Sequence, residues 1–478
     1  MPSAHPIRPV SVLVVGGCGH WAAAENHIPA ILALKATGAP VRVSAICDPR
    51  DPHDPKLLAH MPHLDALLQQ DRPAWIRPRP GEPDTDLEQR LHRAHRTHRF
   101  DAVIVACNPV AHYPYLKWAT EHGIHVLCDK PILCVEDAAW HPERAAAISH
   151  RFDTLLRAHR NRPDHHFAVP LRRRANDAFV HAGDLVREIH DAHKQPLTMG
   201  RIDVAGGHYR LPAEYALGDA HGYRHGVGAL SFSSYHYLDE LTRYLQLAPG
   251  PTSTLRVTLQ YVRRVGDHLA SGLNDTLAAL LPRPTTAEGP HAELPERVLR
   301  AELDFGFTIE LLDPESRSLG VLSYTYTSNS LSNRTVGPQS HDTRDEVAYR
   351  EKGRMSQFSI DLHQGNLQHL RITKSDAVGE PYTIHVEHRR NPLVGGIGRQ
   401  ERTYRDAHTA STVTPRDITN AFLTLAGGGT PPPAVRDKIA FLDGQVLTHR
   451  LYAAMYELIA AHHHNDASQC PSVLVDLP

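Results

Sequence analysis

Gly17-x-Gly19-x-x-Ala22 stands directly after the apolar run Ser11–Val15 and opens an alanine-rich stretch. Glycines at this spacing suit a phosphate cradle. Gly17 permits a tight turn, Gly19 lets backbone approach a pyrophosphate, and Ala22 keeps the following helix close to the strand. The turn residues Gly17, Cys18, Gly19, His20 and Trp21 are therefore the first candidates for ligand contact. Asp48 follows a second apolar run, Val41–Cys47, where a carboxylate accepts hydrogen bonds from ribose hydroxyls. Cradle and acid together predict a nicotinamide dinucleotide, with NAD expected. Arg50, two residues on, could instead meet a 2′-phosphate, which keeps NADP as the alternative.

Lys130 lies in Cys128-Asp129-Lys130-Pro131, just past another apolar run. A lysine there can hydrogen-bond a substrate hydroxyl, with a proton affinity adjustable by burial; it can equally make a structural ion pair. Arg172, Arg173 and Arg174 follow a further strand. The segment Asp219-Ala220-His221-Gly222-Tyr223-Arg224-His225 is dense in titratable groups and reads either as a polar loop or as part of the site.

These residues need elements to carry them. Runs at 11–15, 41–47, 101–106 and 124–128, separated by helical stretches, specify parallel β-α-β units with right-handed crossovers. A helix is expected at 86–98 and another ending at Glu121, where Gly123 stops it. After residue 165 the grammar changes to alternating segments at 254–263, 301–312, 320–328, 357–363, 369–373 and 382–388. Period-two patterning of this kind predicts a largely antiparallel sheet with one solvated or partner-covered face. Helices are expected at 415–425 and 436–461. The fold class is α/β: a Rossmann domain over residues 1–165 and an α+β domain with a large, open, mostly antiparallel sheet over 166–478.

With 478 residues, two domains are the default. A net charge of -2 leaves no footprint for nucleic acid. No apolar run reaches membrane-spanning length and no secretory signal is visible, so the cytoplasm is the expected location. The six cysteines form no C-x-x-C pair, and Cys18, Cys47, Cys107 and Cys128 read as small buried side chains at strand ends. The 36 histidines include His92, His95 and His98 on one helix face and His462–His464 near the tail. Neither group has the mixed ligand set of a metal site, and no metal is expected.

Three stretches together resemble the Gfo/Idh/MocA oxidoreductases: Asp101–Val105, Asn108-Pro109-x-x-His112, and Gly123 through Pro131. Gly17-Cys18-Gly19 with His27-Ile28-Pro29-Ala30 also matches, while residues 50–98, 264–300 and 376–412 look like insertions. The resemblance implies that Asn108, Pro109, His112, Asp129 and Lys130 bind cofactor and that Lys130 is catalytic. Asp129 stands where the family carries glutamate. The family's Asp-x-x-x-His pair, with a further aspartate three residues on, maps onto Phe232, His236 and Asp239. His236 is the expected proton-transfer residue, with Tyr223, Asp239 and Arg173 against substrate. Phenylalanine at 232 cannot orient a histidine or carry a proton, so the relay lacks its first member.

The implied activity is hydride transfer between nicotinamide and a carbinol carbon of a sugar, cyclitol or related polyol. Two other readings share the fold: a non-catalytic dinucleotide-binding regulator, kept open by Phe232, and NAD-assisted glycoside cleavage. The open sheet and the resemblance also imply a homo-oligomer, a dimer or tetramer.

Overall fold

The computed structural model describes residues 8–79, 81–209, 215, 222–272, 294–331, 355–377, 383–395, 398–405, 413–462 and 471–477. They form two compact units.

The first unit is built on a seven-stranded sheet. Its strands are β1 (Val10–Val15), β2 (Val41–Cys47), β3 (Ala74–Ile76), β4 (Ala102–Val105), β5 (His125–Cys128), β6 (Phe167–Val169) and β15 (Ala440–Phe441). The order is β15-β6-β5-β4-β1-β2-β3, parallel throughout except where β15 runs antiparallel to β6. Val12–Val15, Ala102–Val105 and Val126–Cys128 are buried, as the continuous apolar runs of a sheet covered on both faces require. The proline-rich stretch after Asp48 is not a plain loop. Prolines at the first helical position start Pro55–His60 and Pro62–Asp71, and Asp54 caps the former by accepting from Lys56 N–H at 2.9 Å.

This unit extends well beyond the 1–165 expected of it. It comprises Met1–Cys134, His150–Ala175 and Thr412–Gln445. Helix Pro415–Ala426, capped by a Thr414/Asp417 box, places Ile418, Ala421 and Phe422 in one apolar cluster with Ile28, Ile31 and Leu34. The single closing helix expected over 436–461 is in fact interrupted. Ala440 and Phe441 are drawn into the sheet edge against Val169 and Ala168, and the helix proper is Val446–His462.

The second unit comprises Val135–Ser149, Asn176–Ser411 and Val446–Pro478. Its strands are β7 (Met199–Tyr209), β8 (Thr254–Arg264), β9 (Glu302–Leu312), β10 (Ser318–Leu331), β11 (Met355–Gln364), β12 (Gln368–Ala377), β13 (Thr383–Arg390), β14 (Gly398–Tyr404) and β16 (Ser472–Asp476). They form one sheet in the order β14-β13-β12-β11-β7-β10-β9-β8-β16, with β7–β10 the parallel pair and the rest antiparallel. Alternation sends Ile202, Val204, Leu322, Tyr324, Phe358 and Ile360 into the core. The opposite face is open. Leu474, Arg256, Glu310, Val321, Met199, His363 and His369 stand directly opposite one another along a row across it. Among the described residues no helix is long and apolar enough to cross a membrane.

Candidate functional site

In the first unit the sheet brings the expected cofactor residues to one edge. Gly17, Cys18 and Gly19 follow β1, Asp48 follows β2, Asn108 and Pro109 follow β4, and Asp129 and Lys130 follow β5. Strand order reverses at β1, which pairs with β2 on one side and β4 on the other. Ligands of such sheets bind outside the carboxyl ends of the strands at this switch point.

The glycines are there because backbone passes close by. Gly16, rather than Gly17, takes the left-handed conformation of the tight turn, with φ +78°. A Cβ on Gly16 would lie 2.6 Å from the Cys107 nitrogen. Gly17 instead yields to the sheet: its Cβ would lie 2.5 Å from Ile46 Cγ2. At Gly19 the Cβ would crowd the Gly16 carbonyl oxygen at 3.1 Å. The helix that follows opens with a wide turn over His20–His27, Ala24 N–H donating to Gly19 O five residues back at 3.0 Å. The side chains of His20, Trp21 and Ala22 lie outside the described set.

Asp48 is buried with internal partners. One carboxylate oxygen accepts from Cys18 N–H at 2.9 Å; the other accepts from Arg50 N–H at 3.0 Å and Arg50 Nε at 3.2 Å. Arg50 is thus folded back on the acid rather than held out toward a 2′-phosphate, although half its side chain is exposed. Burial pushes the thiols of Cys18 and Cys47 up to about 12, Asp48 adding to the effect at Cys18. They line the strand ends as neutral, unreactive groups.

Asn108 caps the short turn Pro109–Ala111, its Oδ1 accepting from Val110 N–H at 3.3 Å. His112, expected to touch the dinucleotide, is fully buried. Its ring nitrogens lie 3.0 Å from the Cys107 carbonyl and 3.2 Å from that of Ile132, and burial holds its proton affinity below the usual histidine value. It ties the loop after β4 to the chain just past Lys130. Lys130 is half-buried, its bond to Pro131 is cis, and Asp129 N–H donates to Val105 O at 3.0 Å. Arg173 is half-buried in the short turn Arg172–Ala175.

In the second unit His236 lies in the first turn of helix Tyr235–Leu247 and is half-buried. Phe232 precedes it in another wide turn, Leu230–Ser234, where Ser234 N–H donates to Ala229 O at 3.0 Å. That turn breaks the α-helical stacking which would set residues 232 and 236 one above the other. The Phe232 ring packs on Gly222, whose Cβ would lie 2.8 Å from it. Tyr223 is buried edge-on against Tyr215, ring centroids 5.0 Å apart. Asp239, expected against substrate, is also buried, and Thr448 donates to it at 3.4 Å. His225 is engaged by Glu136 Oε1 at 3.1 Å and by Arg224 Nε at 3.1 Å. Asp219, Ala220 and His221 lie outside the described residues.

Beneath this segment is a group that residue order alone does not reveal. The fully buried Glu302 accepts through Oε1 from Gly228 N–H at 2.8 Å, Leu230 N–H at 3.1 Å and Tyr456 O–H at 2.8 Å. Burial pushes its carboxyl up to about 7 against those donors. Ser231 Oγ joins Tyr452 and Tyr456 at 2.7 and 2.6 Å, and Tyr324 O–H donates to Ser234 O at 2.7 Å. Among the described residues no three His, Cys, Asp or Glu side chains gather as metal ligands.

Strand order, glycine cradle and strand-end acid define a Rossmann dinucleotide-binding protein. Residues 10–152 match the Gfo/Idh/MocA family model, described as an oxidoreductase family with an NAD-binding Rossmann fold. No curated protein sequence matches the chain. Among solved structures it is similar to the WlbA dehydrogenase of Bordetella pertussis in complex with NADH and UDP-GlcNAcA (15% identity, 98% of each chain, TM-score 0.52). It is similar too to the aldose–aldose oxidoreductase of Caulobacter crescentus complexed with glycerol (15% identity, 98% of this chain and 100% of that one, TM-score 0.50). A super-repressor mutant of Gal80p from Saccharomyces cerevisiae shares the fold as well (12% identity, 98% of each chain, TM-score 0.51). At these identities the likeness is one of fold, and it extends over both units.

Proposed function

We propose that the protein is an NAD-dependent oxidoreductase that acts on a carbinol carbon of a sugar, cyclitol or related polyol. The observation that carries this reading is the convergence of the Gly16–Gly19 turn, Asp48, Asn108 and Asp129-Lys130 at the ends of β1, β2, β4 and β5. The cradle fits a dinucleotide: three glycines leave room a Cβ would fill, and Asp48 serves as acceptor for the ribose hydroxyls. Bound nicotinamide supplies or takes the hydride. Lys130 polarises the substrate hydroxyl and His236 exchanges its proton. Asn108 and Asp129 shape the cofactor loops, His112 holds them from behind, and Arg173 serves substrate hydroxyls or a carboxylate. Substrate chemistry of this kind fits the sugar-related ligands and names of the WlbA and aldose–aldose oxidoreductase structures.

The free thiols Cys18, Cys47, Cys107, Cys128 and Cys134 suit a reducing compartment such as the cytoplasm. The open row on the second sheet suits self-association, and light scattering that gives only monomer would remove that part.

The decisive assay follows nicotinamide absorbance across sugars, sugar nucleotides and cyclitols, with Lys130→Ala alongside. Turnover is expected with at least one carbohydrate, and the variant is expected to lose on the order of a hundred-fold in kcat while retaining NADH binding. A regulator is the second reading, favoured by the apolar ring of Phe232. NADH binding without turnover by any substrate, and unchanged on ligand addition, would favour it.

A further inference from the structure

His27 ends the wide turn that follows the glycines and is 1% exposed. It lies between two side chains remote in sequence. Its Nδ1 is 2.9 Å from Thr419 Oγ1, on helix Pro415–Ala426, and its Nε2 is 3.4 Å from Asp129 Oδ1. Thr419 Oγ1 also lies 3.0 Å from Pro415 O, a carbonyl to which only the hydroxyl can donate. With the proton on that carbonyl, the hydroxyl oxygen accepts from His27 Nδ1–H. A neutral ring with that tautomer would aim the Nε2 lone pair at a carboxylate oxygen, a repulsive contact. A ring protonated on both nitrogens makes both contacts attractive, and the second becomes a charge-assisted one.

We propose that Thr419 and His27 are positioning residues for the Lys130 loop. Thr419 fixes the orientation of the imidazole, and cationic His27 holds the Asp129 carboxylate. The backbone that carries Lys130 is thereby held through its immediate neighbour. The arrangement also gives Asp129 a cation across the fold. Of the titratable groups whose proton affinity Asp129 influences, burial keeps the Cys107 and Cys128 thiols protonated and favours the neutral form of His112. On the His27 side, Arg416 turns away to the Glu25 carbonyl and Asp417 is taken by the Thr414 cap. The bearing of this cluster on catalysis rests on the oxidoreductase reading, but the pairing itself does not.

Ring-nitrogen NMR of the full chain, with ¹⁵N-histidine and assignment by His27→Gln, tests the pairing without substrate. The expected result at pH 7 is a His27 ring protonated on both nitrogens, lost in Asp129→Asn. A neutral His27 ring in the wild type overturns the proposal. For the positioning role, Thr419→Val is expected to lower kcat about ten-fold with NADH affinity within a few-fold of wild type, and Thr419→Ser to restore it. Should His27→Gln fail to fold, the Thr419 pair supplies both the assignment, by selective perturbation, and the kinetic readout. Equal kcat in the Val and Ser variants overturns the role. Absence of turnover in wild type with a doubly protonated ring would sink the oxidoreductase reading and leave the pairing standing.

Discussion

The two units lead into their functional helices by closely parallel routes. In each, a left-handed glycine comes first, Gly16 at φ +78° and Gly226 at φ +68°. A second close-packed glycine follows, Gly17 or Gly228, and then a wide turn precedes regular helix. Each route is also held by a buried carboxylate that accepts backbone N–H, Asp48 from Cys18 and Glu302 from Gly228 and Leu230. The surroundings differ. Asp48 shares its charge with Arg50, whose half-exposed side chain can be exchanged for a ligand. Glu302 instead accepts hydrogen bonds from backbone and a tyrosine, under helix Val446–His462. The first carboxylate has a half-exposed side-chain partner, whereas the second is a clamp.

The largest effect should come from breaking the clamp sterically. A Cβ at residue 228 would lie 1.8 Å from the Glu302 carbonyl oxygen and 2.9 Å from Tyr223 Cε1. Gly228→Ala is expected to cost about 4 kcal/mol or more, read by denaturant unfolding; a loss under about 1 kcal/mol would show the segment to be loosely held.

The next effect is electrostatic. The Glu302 carboxyl titrates near 7 in the folded protein against an ordinary 4.5. Between those values the folded state keeps a proton that the unfolded state has released. The stability this gives is full below pH 4.5 and is lost as pH rises through 7, about 3 kcal/mol in all. Unfolding free energies of wild type and Glu302→Gln, compared at each pH so that the many histidines cancel, should diverge across this window. A constant difference from pH 4.5 to 8 would remove the burial argument.

Asp48 should give the smallest change in stability and a specific change in binding. Asp48→Ala is expected to weaken NADH about ten-fold, the worth of hydrogen bonds to a charged acceptor, and to cost about 1 kcal/mol in unfolding free energy by leaving the Cys18 N–H without its acceptor. Fluorescence titration with NADH and NADPH would measure it, and unchanged NADH affinity would show that the acid serves only Cys18 and Arg50.

Much of the first unit was legible because its signals are local. Four apolar runs became β1, β2, β4 and β5, and the glycine spacing marked the turn after the first of them. What escaped depends on distant partners. Gly16 is the left-handed residue because Cys107, far along the chain, blocks a Cβ there. His27 acquires its partner only when helix Pro415–Ala426 returns to the first unit, and nothing near Thr419 announces that. In the second unit, period two revealed β8 to β13, since one face of each is buried. The edge strand β14 carries no buried residue and β16 only Val475, so neither shows the alternation that would announce it. Glu302 sat at the head of an alternating strand that also carries Asp304 and Glu310, where an acid reads as a surface position until Gly228 and Tyr456 close over it.

The divided first unit has a consequence for synthesis on the ribosome. Residues Asn176–Ser411 are made before the helix that carries Ile418, Ala421 and Phe422 exists. Until then the nascent nucleotide-binding domain keeps an uncovered apolar face beside Ile28, Ile31 and Leu34, and β6 remains an open edge without β15. Exposed apolar surface and an unpaired edge are the features that chaperones capture in slow, multidomain folding. The domain whose strands appear first is thus among the last parts of the protein to be finished.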